Sequence, residues 1–466
     1  MRHDLPVTPT QRRVLVVAIL ASFVSFLDGS VVNVALPAIS RELTTGPLTG
    51  LPLQQWVVDS YLVTLGALIL LAGSLSDVLG RRRVLIAGLV GFAVASVLCA
   101  IAPSGVLLVL ARALQGVAGA LLVPSSLAMI IAAFSGAAQA RSIGVWTAWT
   151  GTASIAGPLL GGLLVDHATW RWVFWINVPV LAVTLWLTRG VPVETVPVVR
   201  RRLDVVGATI AAVALAAGVL GLIEQGRLGW THPVVVGGLV IGVVGLVAFV
   251  WWERRVADPM LPLRLFDSRN FTWGNVATAA IYAALYFGGL VITLFLQEVA
   301  GWSATAAGLS QLPITLVMLA LSARFGALAG RFGPRVFMTV GPIVGGVGYL
   351  MLLGAREDVV YWTQLLPGLV VFGLGLAITV APLTAAILGA ISPDDAGIGS
   401  AVNNAVARVA GLVSIALLGA IVGGVLTVEG FHRGLLVTAG LLVVGGVVSW
   451  FGIRNPVVHQ PRSIHS

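Results

Sequence analysis

Gly73-Ser74-Leu75-Ser76-Asp77-Val78-Leu79-Gly80-Arg81-Arg82 is the stretch on which the reading of this chain turns. It is a short polar break between two apolar stretches, each long enough to cross a bilayer. The pattern returns 253 residues later as Gly326-Ala327-Leu328-Ala329-Gly330-Arg331-Phe332-Gly333-Pro334-Arg335, again between two apolar stretches. The Gly, Leu, Gly and Arg positions match, and only the acidic position is lost, Gly330 standing where the first copy has Asp77. This is an internal duplication, the construction principle of many alternating-access membrane carriers.

Composition points the same way. Hydrophobic residues make up 58% of the chain and charged residues 10%, against roughly 25% charged in an ordinary soluble domain. So few charges could not cover a water-exposed surface. The 56 glycines among 466 residues exceed the usual share of about 7%, and small residues let membrane helices approach closely.

Fourteen apolar spans follow, at about 14–39, 54–73, 84–102, 105–133, 142–165, 172–188, 205–224, 234–251, 271–297, 305–325, 336–354, 362–390, 398–425 and 433–453. All 27 basic residues are Arg. With a cytoplasmic N-terminus, nineteen lie in inner segments: Arg2, Arg12, Arg13, Arg81 to Arg83, Arg141, Arg189, Arg200 to Arg202, Arg254, Arg255, Arg264, Arg269, Arg331, Arg335, Arg454 and Arg462. Five lie outside, namely Arg41, Arg171, Arg227, Arg356 and Arg433, while Arg112, Arg324 and Arg408 fall within or at the edge of spans. The asymmetry places both termini inside. The net charge of +9 therefore reads as membrane topology rather than as a nucleic-acid surface.

No cleavable signal peptide is evident, because the first span is too long and lacks a small-residue cleavage pattern. The single Cys99 excludes an intramolecular disulfide. The two copies of the turn make helices 1 to 6 and 9 to 14 corresponding halves. The expected organisation is an all-α integral membrane protein: a six-helix bundle over 14–188, linker segments with an inserted helix pair over 189–270, a second six-helix bundle over 271–453, and a cytoplasmic tail, 454–466.

At this point the chain resembles a known family, the fourteen-helix drug/proton antiporters of the major facilitator superfamily, over nearly its whole length. Four motifs in order carry the resemblance. The turn Gly73 to Arg82 is similar to the superfamily signature, with Val78 where that signature has Arg. Helix 1 carries Leu27-Asp28 through Asn33 to Pro37, helix 4 carries Leu108, Arg112, Gln115 and Gly116, and helix 5 carries Ala153, Gly157, Pro158, Gly161 and Gly162. The helix 4 motif resembles the one linked to proton coupling, and the helix 5 motif the one that distinguishes exporters from importers, with Ala153 in place of an upstream Gly. The resemblance implies a major facilitator fold and proton-driven multidrug efflux from the cell inner membrane.

Each motif also has a reading from its own chemistry. Asp77 with Arg81 and Arg82, around Gly73 and Gly80, can form a charge-assisted latch that holds one conformation and releases in another; a mere positive-inside turn is the alternative. Asp28 lies about 14 residues, or roughly 21 Å, into its helix. A carboxylate at that depth is expensive, so it is either protonated or beside a cation, as a proton-coupled cation site requires; a structural Asp bonded to a neighbouring helix is the alternative. Arg112 stays charged and so acts on a nearby carboxylate, with Gln115 or backbone as further partner, unless it snorkels outward. Ala153, Gly157 and Gly161 line one helix face for close packing, and Pro158 bends the backbone beside it.

For substrate, Phe26, Trp56, Tyr61, Trp146 and Trp149 are candidates to line a cavity for flat or cationic compounds, or else interfacial anchors; Trp170, Trp172 and Trp230 belong at the outer interface. Asp28 and Asp59 differ in depth by roughly 9 Å, a spacing suited to the two charges of an elongated dication, with a water-satisfied Asp59 at the outer mouth as the alternative. Arg408, near Asn403 and Asn404, is expected to order the second half through a buried network.

Other chemistry is lacking. The Gly-rich runs end without the Lys-Ser/Thr of a phosphate-binding loop, and the six His residues, read as lying at termini or in loops, form no metal-type cluster. No cofactor, no metal, no nucleic acid and no obligatory protein partner is expected. The expected partners are drug-like small molecules, protons and lipids. The reading is a proton-driven exporter of drugs, dyes, biocides or natural-product antibiotics and not an enzyme. A lipid or siderophore exporter is the alternative within the fold, and a membrane-embedded enzyme or transporter-like sensor the alternative outside it.

Overall fold

The computed structural model describes residues 8–192, 203–392 and 395–455. Arg2, Arg200 to Arg202, Arg462, much of the first linker and the tail from 456 onward lie outside the described residues. Within them the chain is helical throughout. Thirteen helices are long and apolar enough to cross a membrane, and a shorter apolar helical segment, Trp172–Thr188, stands where the sixth span was expected. The chain is a multi-pass membrane protein.

The first half consists of α1 (Pro9–Glu42), α2 (Gly50–Leu79), α3 (Arg81–Ala100), α4 (Gly105–Ala133), α5 (Gly136–His167), and the two short helices α6 (Trp172–Trp175) and α7 (Asn177–Thr188). An inserted hairpin follows, α8 (Val205–Leu228) and α9 (Pro233–Glu253). The second half consists of α10 (Arg269–Leu294), α11 (Ala304–Ser310), α12 (Leu312–Phe332), α13 (Pro334–Met351), α14 (Leu366–Leu388), α15 (Ala396–Ala416), α16 (Leu418–Val422) and α17 (Val428–Gly452). Several spans depart from their expected form, α2 and α5 among them, which run longer at both ends than 54–73 and 142–165. The sixth breaks before Asn177, the tenth divides at Gln311, the thirteenth stops at Ala416 and restarts as α16, and α1 runs longer at both ends than 14–39. His167 and His432 likewise sit on helices rather than in loops.

Local chemistry sets many of these boundaries. Side-chain oxygens of Thr8, Ser104, Asp204, Ser303 and Thr427 accept the free backbone N–H groups at the starts of α1, α4, α8, α11 and α17. The apolar outer faces, such as Val243 and Val247 of α9, stand exposed because hydrocarbon is their solvent.

The duplication is visible atom by atom. Gly80 and Gly333 take the same positive-φ conformation, 93° and 85°, at the starts of α3 and α13, a backbone state that strains any side chain. Two residues on, Arg82 Nε donates to Thr188 O at 3.1 Å and Arg335 Nε donates to Trp450 O at 2.8 Å. Arg13 and Arg269, at the starts of α1 and α10, bond in the same manner to Gly190 O and Gly452 O. In each half, then, two arginines staple the last helix to the face that carries the chain ends.

The halves meet at the opposite face. Asp166, at the end of α5, accepts from the backbone N–H groups of Ala304 and Thr305 at the start of α11, at 3.1 and 2.8 Å. Gln54 donates to Glu298 at 2.6 Å, Gln55 to Ile415 O and Ala416 O, and Gln297 to Val34 O. Among the described residues these are the hydrogen bonds that join the two halves, and all lie far from the termini. Of α12 only Ala329, in its last turn, is buried.

Candidate functional site

Four helices of the first half converge on one carboxylate. Asp28 of α1 is 0% exposed and Arg112 of α4 is 1% exposed. The guanidinium Nη1 donates to Asp28 Oδ2 at 2.5 Å and to Gln115 Oε1 at 2.6 Å, while Nε donates to Val57 O of α2 at 2.9 Å. The other carboxylate oxygen, Oδ1, accepts from Gln115 Nε2 and from Asn177 Nδ2 of α7, both at 2.9 Å. Ser96 of α3 accepts from Gln115 at 3.0 Å. The rings of Tyr61 and Phe174 stack near the guanidinium, 4.4 and 5.8 Å from its carbon. Arg112 does not snorkel, and every partner of Asp28 is a donor.

Local structure explains the convergence. Arg112 and Gln115 stand one turn apart and so share a face. Asn177 reaches the site because the sixth span breaks at Ile176, which starts α7 at the depth of Asp28. Asn177 and Ser96 were not anticipated; a lone amide in a span otherwise apolar was the available signal. Tyr61 changes role: it is 1% exposed, covers Arg112 and bonds Ser25 Oγ at 2.9 Å, so it belongs to this network rather than to an open cavity wall.

Asp59 is also 0% exposed, and neither of its oxygens has a hydrogen-bond donor among the described residues. It stands on α2 between Gln55, which bonds Ile415 and Ala416, and Gly66, which faces Arg408 and Val409. That places it in the seam between α2 and α15, not at a wet outer mouth. Asp28 and Asp59 therefore do not face one shared open cavity in this conformation.

The ridge on α5 packs as its spacing required. A β-carbon on Gly161 would come within 2.8 Å of Val31, and one on Gly157 would strike Ser30; Ser30 in turn bonds Ala153 O at 3.3 Å. Gly162 and Pro158 face the other way, onto the second half. A β-carbon on Gly162 would sit 2.5 Å from Thr305 Cα, and one on Gly308 would collide with Pro158 O. Glycine thus sets the contact of α5 with α1 and with α11.

The remaining candidates separate. Trp146 donates to Ser22 Oγ at 3.1 Å, Trp56 is half-buried against the core, and Trp149 is 55% exposed. Trp172 and Trp230 are exposed as expected, whereas Trp170 is buried and bonds Glu42. The second-half network divides in two: Asn403 donates to Asn275 and Thr278, and Asn404 bonds only Ser400 O of its own helix. Arg408 turns instead to Tyr286 Oη, at 2.8 Å, and toward Phe26 of the first half, whose ring centre is 5.3 Å away. No carboxylate pairs with it among the described residues. Asp77 is exposed at the end of α2 and has no ion-pair or hydrogen-bond partner among the described residues, while Arg82 is engaged with Thr188; the latch is not closed here. Among the described residues no cluster of His, Cys, Asp and Glu is suited to a metal.

A helical membrane carrier built from two stapled halves, with a buried ion pair in one of them, is what the fold and site define. The Major Facilitator Superfamily model matches residues 18–415, and the chain belongs to that superfamily. It is 36% identical over 413 residues to the multidrug resistance protein Stp of Mycobacterium tuberculosis, covering 88% of this chain and 76% of the relative. It is 33% identical to the puromycin resistance protein pur8 of Streptomyces alboniger, covering 94% and 90%, and 33% identical to the methylenomycin A resistance protein of Bacillus subtilis, covering 88% and 87%. A crystal structure of the peptide transporter POT shares the fold, with a TM-score of 0.69 at 16% identity over 93% of each chain.

Proposed function

We propose that this protein is a proton-driven exporter of hydrophobic, drug-like compounds, working by alternating access in the cytoplasmic membrane with both termini inside. With that orientation the sealed face is extracellular, and the structure is the inward-facing arrangement. The observation that carries the reading is the Asp28 site, a carboxylate buried among donors at membrane depth, in a chain whose relatives bear the names of antibiotic and multidrug resistance proteins.

A proton arriving at Asp28 replaces the ionic hold on Arg112. The guanidinium keeps Val57 O and Gln115 but loses its counter-charge, so α1 and α4 are no longer drawn together. Ser30, two residues beyond Asp28, rests against Ala153 and Gly157. Movement of α1 therefore reaches α5 and, through Pro158 and Gly162, the crossing with α11. Proton binding and opening of the outer face are coupled along one short path.

Arg408 narrows the substrate. A guanidinium in the seam between the halves, hydrogen-bonded to a phenol and not paired with a carboxylate, favours neutral or anionic compounds over permanent organic cations. The test is export by the purified protein in liposomes with an imposed pH gradient, using puromycin as an antibiotic probe and ethidium as a cationic one. Gradient-dependent uphill export that an uncoupler abolishes is the expected result. Flux indifferent to the gradient would overturn proton drive, and export of ethidium but not puromycin would overturn the substrate preference.

A further inference from the structure

At the terminal-face end of the inserted hairpin, two carboxyl groups meet with nothing between them. Asp204 caps α8: its Oδ1 accepts from Gly207 N and from Trp252 Nε1, both at 2.8 Å. Glu253 ends α9, and its Oε2 accepts from Leu261 N at 2.9 Å. The side chains are 5% and 3% exposed. The remaining oxygens, Asp204 Oδ2 and Glu253 Oε1, receive no N–H or O–H donor from the described protein. Both lie within 3.0 Å of the point a β-carbon on Gly207 would occupy, so the two oxygens are neighbours and a bond between them would satisfy both. Two carboxylates cannot make that bond, because neither has a hydrogen to donate.

We propose that Asp204 and Glu253 form a proton-binding site in which one proton is shared between Oδ2 and Oε1. A single proton satisfies both orphaned oxygens and removes the repulsion of two like charges at close range. Among the described residues the surroundings supply no alternative; Arg200 to Arg202, just before Asp204, lie outside them. Arg254 and Arg255 follow Glu253 just beyond the end of its helix, and the Arg255 guanidinium lies over the Trp251 ring at 3.9 Å. Arg264, farther along the linker, pairs with Asp395, Arg269 is held by backbone carbonyls, and Asp258 has an engagement of its own. Asp77, at the same face on α2, is exposed.

The site joins three segments, the start of α8, the end of α9 and the loop to Leu261. Met260 and Leu261 line an apolar cavity of about 630 Å³ that runs between the hairpin and α2, α10, α15 and α17. With the proton in place the hairpin base and this loop are pinned together. Loss of the proton sets two buried charges against each other and loosens the wall of that cavity.

The experiment uses the full-length protein in lipid nanodiscs, with infrared spectra and thermal unfolding recorded from pH 6 to pH 9. The wild type is expected to show a carboxylic-acid C=O band at neutral pH that Glu253→Gln and Asp204→Asn each abolish, distinct from the band that Asp59→Asn removes. Each amide replaces the shared proton with its own N–H, so both variants are expected to fold. The folded pair holds a proton that the unfolded chain releases, so wild-type stability falls as pH rises, and the fall is absent in Glu253→Gln. An unchanged carboxylic-acid band in both variants, or parallel melting curves for wild type and Glu253→Gln across this range, would overturn the proposal.

Discussion

Asp28→Asn is a harsher change than its isosteric shape suggests. All the partners of Asp28 are donors: Arg112 on Oδ2, Gln115 and Asn177 on Oδ1. The NH₂ group of Asn must point at one set or the other, bringing N–H against N–H, and Arg112 is left a buried cation at 1% exposure. Removing one partner of a buried pair costs about 3–5 kcal/mol, chiefly for the charge left behind. Arg112→Gln leaves Asp28 in the corresponding position and carries a similar cost. In the double variant no charge remains, so its destabilisation should fall short of the sum of the singles by at least about 2 kcal/mol. Unfolding in detergent micelles, followed by tryptophan fluorescence, measures the cycle, and all three variants should lose gradient-driven export. Destabilisations that add within about 0.5 kcal/mol would refute the view that this pair acts as one unit.

Gly308→Ala should disfavour the inward-facing state, since the new methyl collides with the Pro158 carbonyl. At about 1–3 kcal/mol for overpacking, spin-label distances across the sealed face should shift toward the open population by roughly 5- to 150-fold; an unchanged distribution would count against the crossing as a gate. Asp59→Asn changes a carboxyl buried in the seam between α2 and α15 and should reduce export of dicationic biocides and monocationic dyes alike; loss confined to dications would instead place that carboxyl against substrate. Asp77→Asn should slow turnover with little effect on substrate affinity, because a latch governs exchange between states; weakened affinity at normal turnover would reverse that reading. The Arg264 guanidinium holds the Asp395 carboxyl below its ordinary range, so this tie between linker and α15 persists above the usual carboxylate pKa and is lost only as pH falls below it. Arg264→Gln should therefore lower stability slightly and evenly at neutral pH and flatten the decline on the acid limb; a thermal-unfolding profile unchanged at neutral pH would count against the tie.

The spans, the duplication and the ion pair were legible because each has a one-dimensional signature. Apolar length gives a span, a repeated Gly-Leu-Gly-Arg register gives a half, and a charge in an apolar helix must find a partner. Arg112 and Gln115 pointed to their site from spacing alone. Asn177 did not, because its reach depends on a helix break at Ile176, which Pro179 permits by lacking the N–H for the Trp175 carbonyl but does not place. The aromatic residues were the least legible: Tyr61 and Trp149 look alike in sequence, yet one covers Arg112 and the other stands exposed, a difference made by helix rotation. The seam locks also escaped notice, since Gln54, Gln55 and Asp166 resemble loop-edge polar residues until a second half faces them. Arg408 was expected beside Asn403 and Asn404, its neighbours in sequence. Asn403, five positions earlier, points to another face, and Asn404, one turn earlier, spends its amide N–H on Ser400 O, while the phenol of Tyr286 and the ring of Phe26 lie where the Arg408 side chain points.

The crossing of α5 over α11 is backbone against backbone, with Gly162 on Thr305 and Gly308 on Pro158. Such a surface has few ways to escape an inhibitor. A compound wedged against side chains can be evaded by changing those side chains, but here a new side chain large enough to exclude the compound also holds the carrier's own helices apart. Resistance at this crossing would come at the expense of the export cycle itself.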